Sequence, residues 1–189
     1  MVAVNPIRQT LTLAEFLELP ETKPASEYVN GQIQQKPMPQ GEHSTLQIRI
    51  GTAINDVVLP KKIAHAFPEL RCTFGGRSIV PDITVFSWNR IPKTEKGRIA
   101  NKFELYPDWV IEILSPEQSA NKVIKKILFC LNQGTELGWL IDTDDESVMI
   151  FQPNQLPEIK SDKEILPVLE SLKDWELSVA EMFSWLSVN

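Results

Sequence analysis

Apolar and polar positions along the chain switch between the period of a helix and the period of a strand. Thr12 to Leu19 predicts a short helix, with Thr12 as its cap and Glu15 three residues on, and Pro20 and Pro24 then break the chain. Glu27 to Ile33 reads as two strands joined at Asn30-Gly31, a strong hairpin turn signal. Leu46, Ile50, Ala53, Ile54 and Val57 recur at helical spacing and predict a helix from Glu42 to Leu59. Two strands follow, Ala64 to Thr73 and Ser78 to Phe86, joined at Gly75-Gly76. Asn89 to Lys102 is polar and basic and has no period, as in an exposed loop.

Trp109 to Leu114 is apolar except for one acid, and its length and β-branched residues favour a buried central strand. A helix over residues 119–132 then closes at Gly134. Gly138 to Asp142 and Ser147 to Phe151 read as two strands around an acidic turn. A looser region follows Pro153, and residues 178–186 predict a terminal helix with Ala180, Phe183, Trp185 and Leu186 as its apolar contacts. The alternation of strands and helices indicates an α/β fold in one domain spanning 1–189. Its core is expected over 12–152, with 153–189 as a C-terminal extension.

Composition narrows the function. The chain has 189 residues, 42% hydrophobic and 23% charged, so it can bury a core. A net charge of -6 argues against a broad basic face for nucleic acid, though not against a local one. Cys72 and Cys130 lack any zinc-ligand spacing and read as two buried thiols. Residues 1–13 have no leader pattern, and no stretch approaches the roughly 20 apolar residues of a membrane span. The expectation is a cytoplasmic protein.

Two acids stand out. Glu112 shares a strand face with Val110 and Leu114. A carboxylate there is costly unless paired, protonated or bound to metal. Asp82 follows Pro81 within Ile79 to Phe86, where the missing backbone donor fits a strand start, an edge or a bulge. Taken singly, Glu112 reads equally as a salt-bridged acid and Asp82 as a turn aspartate. If their strands are neighbours, both converge on one ion, and hard oxygen ligands with open positions suit Mg²⁺ or Mn²⁺. The helix after Glu112 carries Lys122, Lys125 and Lys126. Its apolar stripe places Lys122 on the far side, with Lys125 and Lys126 on the two flanks.

The order Pro81-Asp82, Glu112-Ile113-Leu114-Ser115-Pro116, a lysine-bearing helix and Gly138-Trp139-Leu140-Ile141-Asp142 resembles the Uma-type restriction-endonuclease family of the PD-(D/E)XK superfamily. Glu27 to Ile33 is similar to that family's early strand, and His43-Ser44 to its first core helix, so the resemblance spans about residues 12–152. It implies a restriction-endonuclease-like core, a mixed sheet flanked by helices, and metal-dependent phosphodiester hydrolysis. It makes Asp82 and Glu112 the motif acids and the backbone carbonyl of Ile113 a further metal ligand. Glu27 becomes an additional metal or water ligand.

By the same resemblance His43 becomes a phosphate or proton-transfer group; otherwise it is a capping or packing residue. The superfamily lysine position is here Leu114, so the lysine has moved to the helix. Lys125 with Phe129 matches the family spacing, whereas counting back from Gly134 selects Lys126. Asn121 stands where many members carry aspartate.

The leading expectation is a Mg²⁺-dependent (or Mn²⁺-dependent) DNA endonuclease, DNA rather than RNA. In it Lys125 serves the water or the phosphate, and the loop cations Arg90, Lys93, Lys96 and Arg98 grip the DNA backbone or, equally, only solubilise a disordered loop. A homodimer is implied by resemblance. The alternatives are a non-catalytic nuclease-fold binding module and a structural protein whose buried acids form only salt bridges.

Overall fold

The structure is a computed structural model that describes residues 11–116 and 118–188. The expectations placed on residues 1–10 lie outside the described residues. Helix α1 (Leu13–Leu17) opens with the expected capping box: Glu15 N donates to Thr12 Oγ1, and the Glu15 carboxylate accepts from Thr12 N. Strands β1 (Ser26–Val29) and β2 (Gln32–Gln35) form an antiparallel hairpin. Its turn residues have φ 52° at Asn30 and 80° at Gly31, the left-handed values an Asn-Gly turn accommodates. Helix α2 (Gly41–Val58) buries Leu46, Ile50, Ile54 and Val58 at helical spacing.

The next segment departs from expectation. Each of the two strands expected over 64–86 is divided between two sheets. β3 (Ala64–Pro68) and β6 (Ile83–Ser87) pair in a six-stranded sheet. β4 (Cys72–Phe74) and β5 (Arg77–Ile79) join the hairpin in a four-stranded sheet of order β2-β1-β5-β4. The chain changes sheet at Glu69, whose φ is 46°, and again at Val80-Pro81-Asp82. Proline has no N–H to give to a ladder, so the second crossing falls where pairing stops anyway.

β7 (Trp109–Ile113) is buried at every position and lies next to β6. Helix α3 (Ala120–Gln133) connects it to the parallel neighbour β8 (Leu137–Asp142), and Gly134 ends the helix at φ 119°. β9 (Ser147–Phe151) and β10 (Glu158–Ser161) complete the order β10-β9-β8-β7-β6-β3, mixed through the single parallel pair. Helix α4 (Val179–Ser184) ends the chain, and the segment beyond Pro153 is less peripheral than its sequence suggests. It adds β10, and Leu166, Leu169, Leu177, Val179 and Met182 enter the main core.

The sheet separates two apolar layers. Trp109, Ile111 and Ile113 face the layer that contains the α2 residues, while Val110 faces the layer of Val123, Ile127 and Cys130 from α3. Strand alternation therefore puts Glu112 on the α3 side, the face it shares with Val110. Among the described residues, no helix is long and apolar enough to cross a membrane.

Candidate active site

Glu112 and Asp82 are 1% and 2% exposed, so each needs a partner. β6 and β7 are antiparallel neighbours with Ile83 opposite Ile111, so Asp82 lies just before β6 at the end of β7 that carries Glu112. Ile113 N–H faces the side on which β6 has already ended, and Asp82 Oδ2 accepts from it at 2.8 Å. In an extended strand the C=O of a residue lies on the same edge as its N–H, so the Ile113 carbonyl also faces this end of the sheet.

Three further side chains close around Asp82. Lys36, just after β2, places Nζ 2.6 Å from Asp82 Oδ1 and donates to Val80 O at 2.9 Å. His43 Nε2, from the first turn of α2, lies 3.2 Å from Asp82 Oδ2, while its Nδ1 is buried without a partner. One helical turn on, Gln47 Nε2 donates to the Asp82 backbone O at 2.9 Å. The donation from His43 and the charge of Lys36 hold the Asp82 carboxyl well below the usual carboxylate range despite its burial.

Lys126 bridges the other acids. Its Nζ lies 2.9 Å from Glu27 Oε1, 3.0 Å from Glu112 Oε1 and 3.1 Å from Glu112 Oε2. Only Oε2 of Glu112 receives a well-directed hydrogen bond, and Oε1 is left buried without one. Glu27 Oε1 also accepts from Val80 N at 2.8 Å, so the hairpin acid binds both the sheet crossing and Lys126. Burial pushes Glu112 up to about 7, with the Asp82 charge adding to the rise and Lys126 opposing it. The carboxylates of Glu112 and Glu27 outweigh burial at Lys126 and hold its ammonium above the ordinary lysine range.

This geometry brings together Glu27, His43, Asp82, Glu112, Ile113 and Lys126, all named from sequence. It does not bring in Lys125. That side chain is exposed on the neighbouring flank of α3 and makes no ion pair with an acid among the described residues. Of the loop cations, Arg90 is engaged within the protein. Arg90 is bound to Asp108, donates to Tyr106 O at 2.9 Å and stacks over the Tyr106 ring, so it holds the loop itself. That loop leaves β6 at Ser87, the end opposite Asp82.

Lys36 and Gln47 were not foreseen. A signal for Lys36 was present: the Asn-Gly turn sets Gln34 opposite Glu27, and Lys36, two residues further, continues on the same face.

The residues offer part of the donor set of a small hard cation, and each motif acid already faces a lysine, Asp82 with Lys36 and Glu112 with Lys126. Glu112 Oε1 is buried and lacks a directed donor, and the Asp82 charge destabilises its ionised form. No group of three or more acidic, histidine or cysteine side chains forms a metal cage among the described residues. Two carboxylates and a carbonyl that leave the remaining positions to water suit Mg²⁺ or Mn²⁺.

Residues 13–180 match the family model Uma2, described as "Putative restriction endonuclease". The chain belongs to the Uma2 family. A solved relative is similar over nearly its whole length: a "putative nuclease belonging to DUF820" from Anabaena variabilis ATCC 29413. The two are 54% identical with a TM-score of 0.92, and the match covers 94% of this chain and 99% of that one. No curated protein matches. The mixed α/β architecture is thus that of a nuclease-like Uma2 protein.

Proposed function

We propose that this Uma2 protein is a divalent-metal-dependent DNA endonuclease. Asp82, Glu112 and the Ile113 carbonyl would hold Mg²⁺ or Mn²⁺. The ion, when bound, polarises the phosphodiester and lowers the pKa of a coordinated water. The observation that carries the reading is Lys126 Nζ between Glu27 and Glu112, at the sheet end where Asp82 lies.

Two carboxylates keep that lysine charged, so its work is electrostatic: it donates to the phosphate as negative charge develops on it. Glu27 is a positioning residue that fixes Lys126 through the Val80 N–H. His43 orients Asp82 from α2. The family description supports DNA as the substrate. A cytoplasmic homodimer rests on the resemblance alone.

The test is nicking of supercoiled DNA with Mg²⁺ or Mn²⁺ by wild-type and Asp82→Ala proteins, with folding checked by circular dichroism. Cleavage by the wild type and none by the folded variant supports the reading; equal metal-dependent cleavage overturns it.

One observation favours a second reading. Asp82 and Glu112 each face their own lysine, as in a structural pair of ion pairs. Calorimetry with Mn²⁺ separates the two, because a purely structural arrangement takes up no ion.

A further inference from the structure

We propose that the cleft between the β1–β2 hairpin and the start of α3 is a docking groove for the backbone of double-stranded DNA, gripped by Arg77, Lys122 and Lys125. The inference rests on the nuclease reading and assigns the contacts that lie beyond the reacting phosphate.

The cleft has a volume of ≈ 890 Å³, and among the described residues its walls carry Lys36, Arg77, Lys122, Lys125 and Lys126 against one acid, Glu27. Lys36 and Lys126 are occupied by Asp82, Glu112 and Glu27. Arg77, Lys122 and Lys125 have no carboxylate partner among the described residues. Counting the two acids behind the wall, five cations face three anions among the described residues, in a chain whose net charge is -6. Cations of one sign gathered in a concave surface raise the local potential and attract an anionic partner.

The position of the lysines supports a ligand role over a stabilising one. Lys122 and Lys125 stand in the first two turns of α3, and its first turn has no acid. The N-terminal end of a helix is already positive, so cations there oppose the macrodipole. An approaching phosphate relieves that cost and meets the free N–H groups of the helix end. Arg77 is held in place: its guanidinium lies 4.1 Å from the Phe129 ring centroid, and its Nε donates to Asn30 Oδ1 at 3.2 Å. Its terminal nitrogens have no hydrogen-bond partner among the described residues.

The walls also indicate the form of the nucleic acid. Proteins that bind single strands stack the bases on aromatic side chains. Among the described residues lining this cleft none is aromatic; its apolar members are aliphatic or proline, such as Val29, Ile33 and Pro116. Lysines and one arginine without stacking platforms follow a sugar–phosphate backbone whose bases stay paired.

The experiment is fluorescence anisotropy with a labelled DNA duplex of about 20 base pairs over a salt series, without divalent ions so that cleavage does not intervene. Each phosphate contact contributes about 0.9 to the slope of log K against log salt. The double variant Lys122→Gln/Lys125→Gln is expected to lower that slope by about 2, with unchanged melting temperature, and Arg77→Gln by about 1. A slope and affinity equal to wild type in both variants overturns the proposal. So does tighter binding of the same sequence as a single strand or as duplex RNA, or no binding by the wild type. Because no metal is present, absence of metal-free binding by a wild type that still cleaves with metal sinks the groove alone. Binding without any metal-dependent cleavage sinks the endonuclease reading alone.

Discussion

Lys36 Nζ lies 2.6 Å from Asp82 Oδ1, and both side chains are almost entirely buried. A lysine beyond the hairpin thus neutralises the buried aspartate. Lys36→Met removes one partner of a buried pair, a change that typically costs about 3–5 kcal/mol. The variant should melt below the wild type in the absence of metal. Mn²⁺ should then raise its melting temperature more than that of the wild type, because the ion supplies a missing charge and displaces no resident lysine. Thermal melts with and without Mn²⁺ check this; equal shifts in the two proteins contradict it.

Lys126 and Lys125 are adjacent in sequence but differ in surroundings. Lys126→Met should lower kcat by about 10²-fold or more, the scale for losing one preorganised charge at a reacting centre. Lys125→Met should leave kcat nearly unchanged and raise KM by a factor that is largest at low salt and shrinks as salt increases. Steady-state kinetics at two ionic strengths separates them, and a larger kcat loss at Lys125 would reverse the assignment.

The two acids respond to pH in opposite directions. Burial raises Glu112 above its ordinary value of 4.5, so the metal-free folded state holds a proton there more tightly than the unfolded chain does. Its contribution to stability is present at low pH and declines as pH rises from about 4.5 towards 7. Asp82 is depressed from 3.8, so its contribution is present above that value and lost as pH falls below it. Metal binding needs Glu112 ionised. Mn²⁺ affinity measured by calorimetry should therefore rise between pH 6 and pH 8, with proton release at the lower pH. An affinity independent of pH over that interval would show that Glu112 is not a ligand.

Gly138 sets the approach of α3 to the sheet. A Cβ added there would collide with Ile127 Cγ2. Ile127 is fully buried and neighbours Lys126 in sequence. Gly138→Ala should cost about 1–3 kcal/mol through overpacking. Because the helix must shift away from β8, the variant should also lose activity beyond its loss of folded protein. Denaturant melts together with cleavage per folded molecule test this.

The elements with one strong local signal were legible in the sequence. Asn30-Gly31 marked the hairpin, Gly134 the end of α3, and the apolar run around Glu112 the central strand. Glu112 itself was legible because an acid on a buried strand face needs a reason. The choice between Lys125 and Lys126 was not, because both flank the apolar stripe and only the tilt of α3 on the sheet selects one. The sheet change within 64–86 was hidden as well: Cys72 to Phe74 has the same β-forming character as Ala64 to Pro68, and only tertiary pairing separates them. Lys36 lies among prolines and polar residues, so its local sequence resembles that of an ordinary solvated lysine.

Val80-Pro81-Asp82 is the only covalent link between Ile79 in one sheet and Ile83 in the other. Its length is therefore a ruler. One residue more or fewer would rotate the aspartate out of reach of Ile113 N–H and uncouple it from Lys36, even with both sheets folded. Length variation among relatives is thus expected to fall in the loop after Ser87 and to spare this tripeptide.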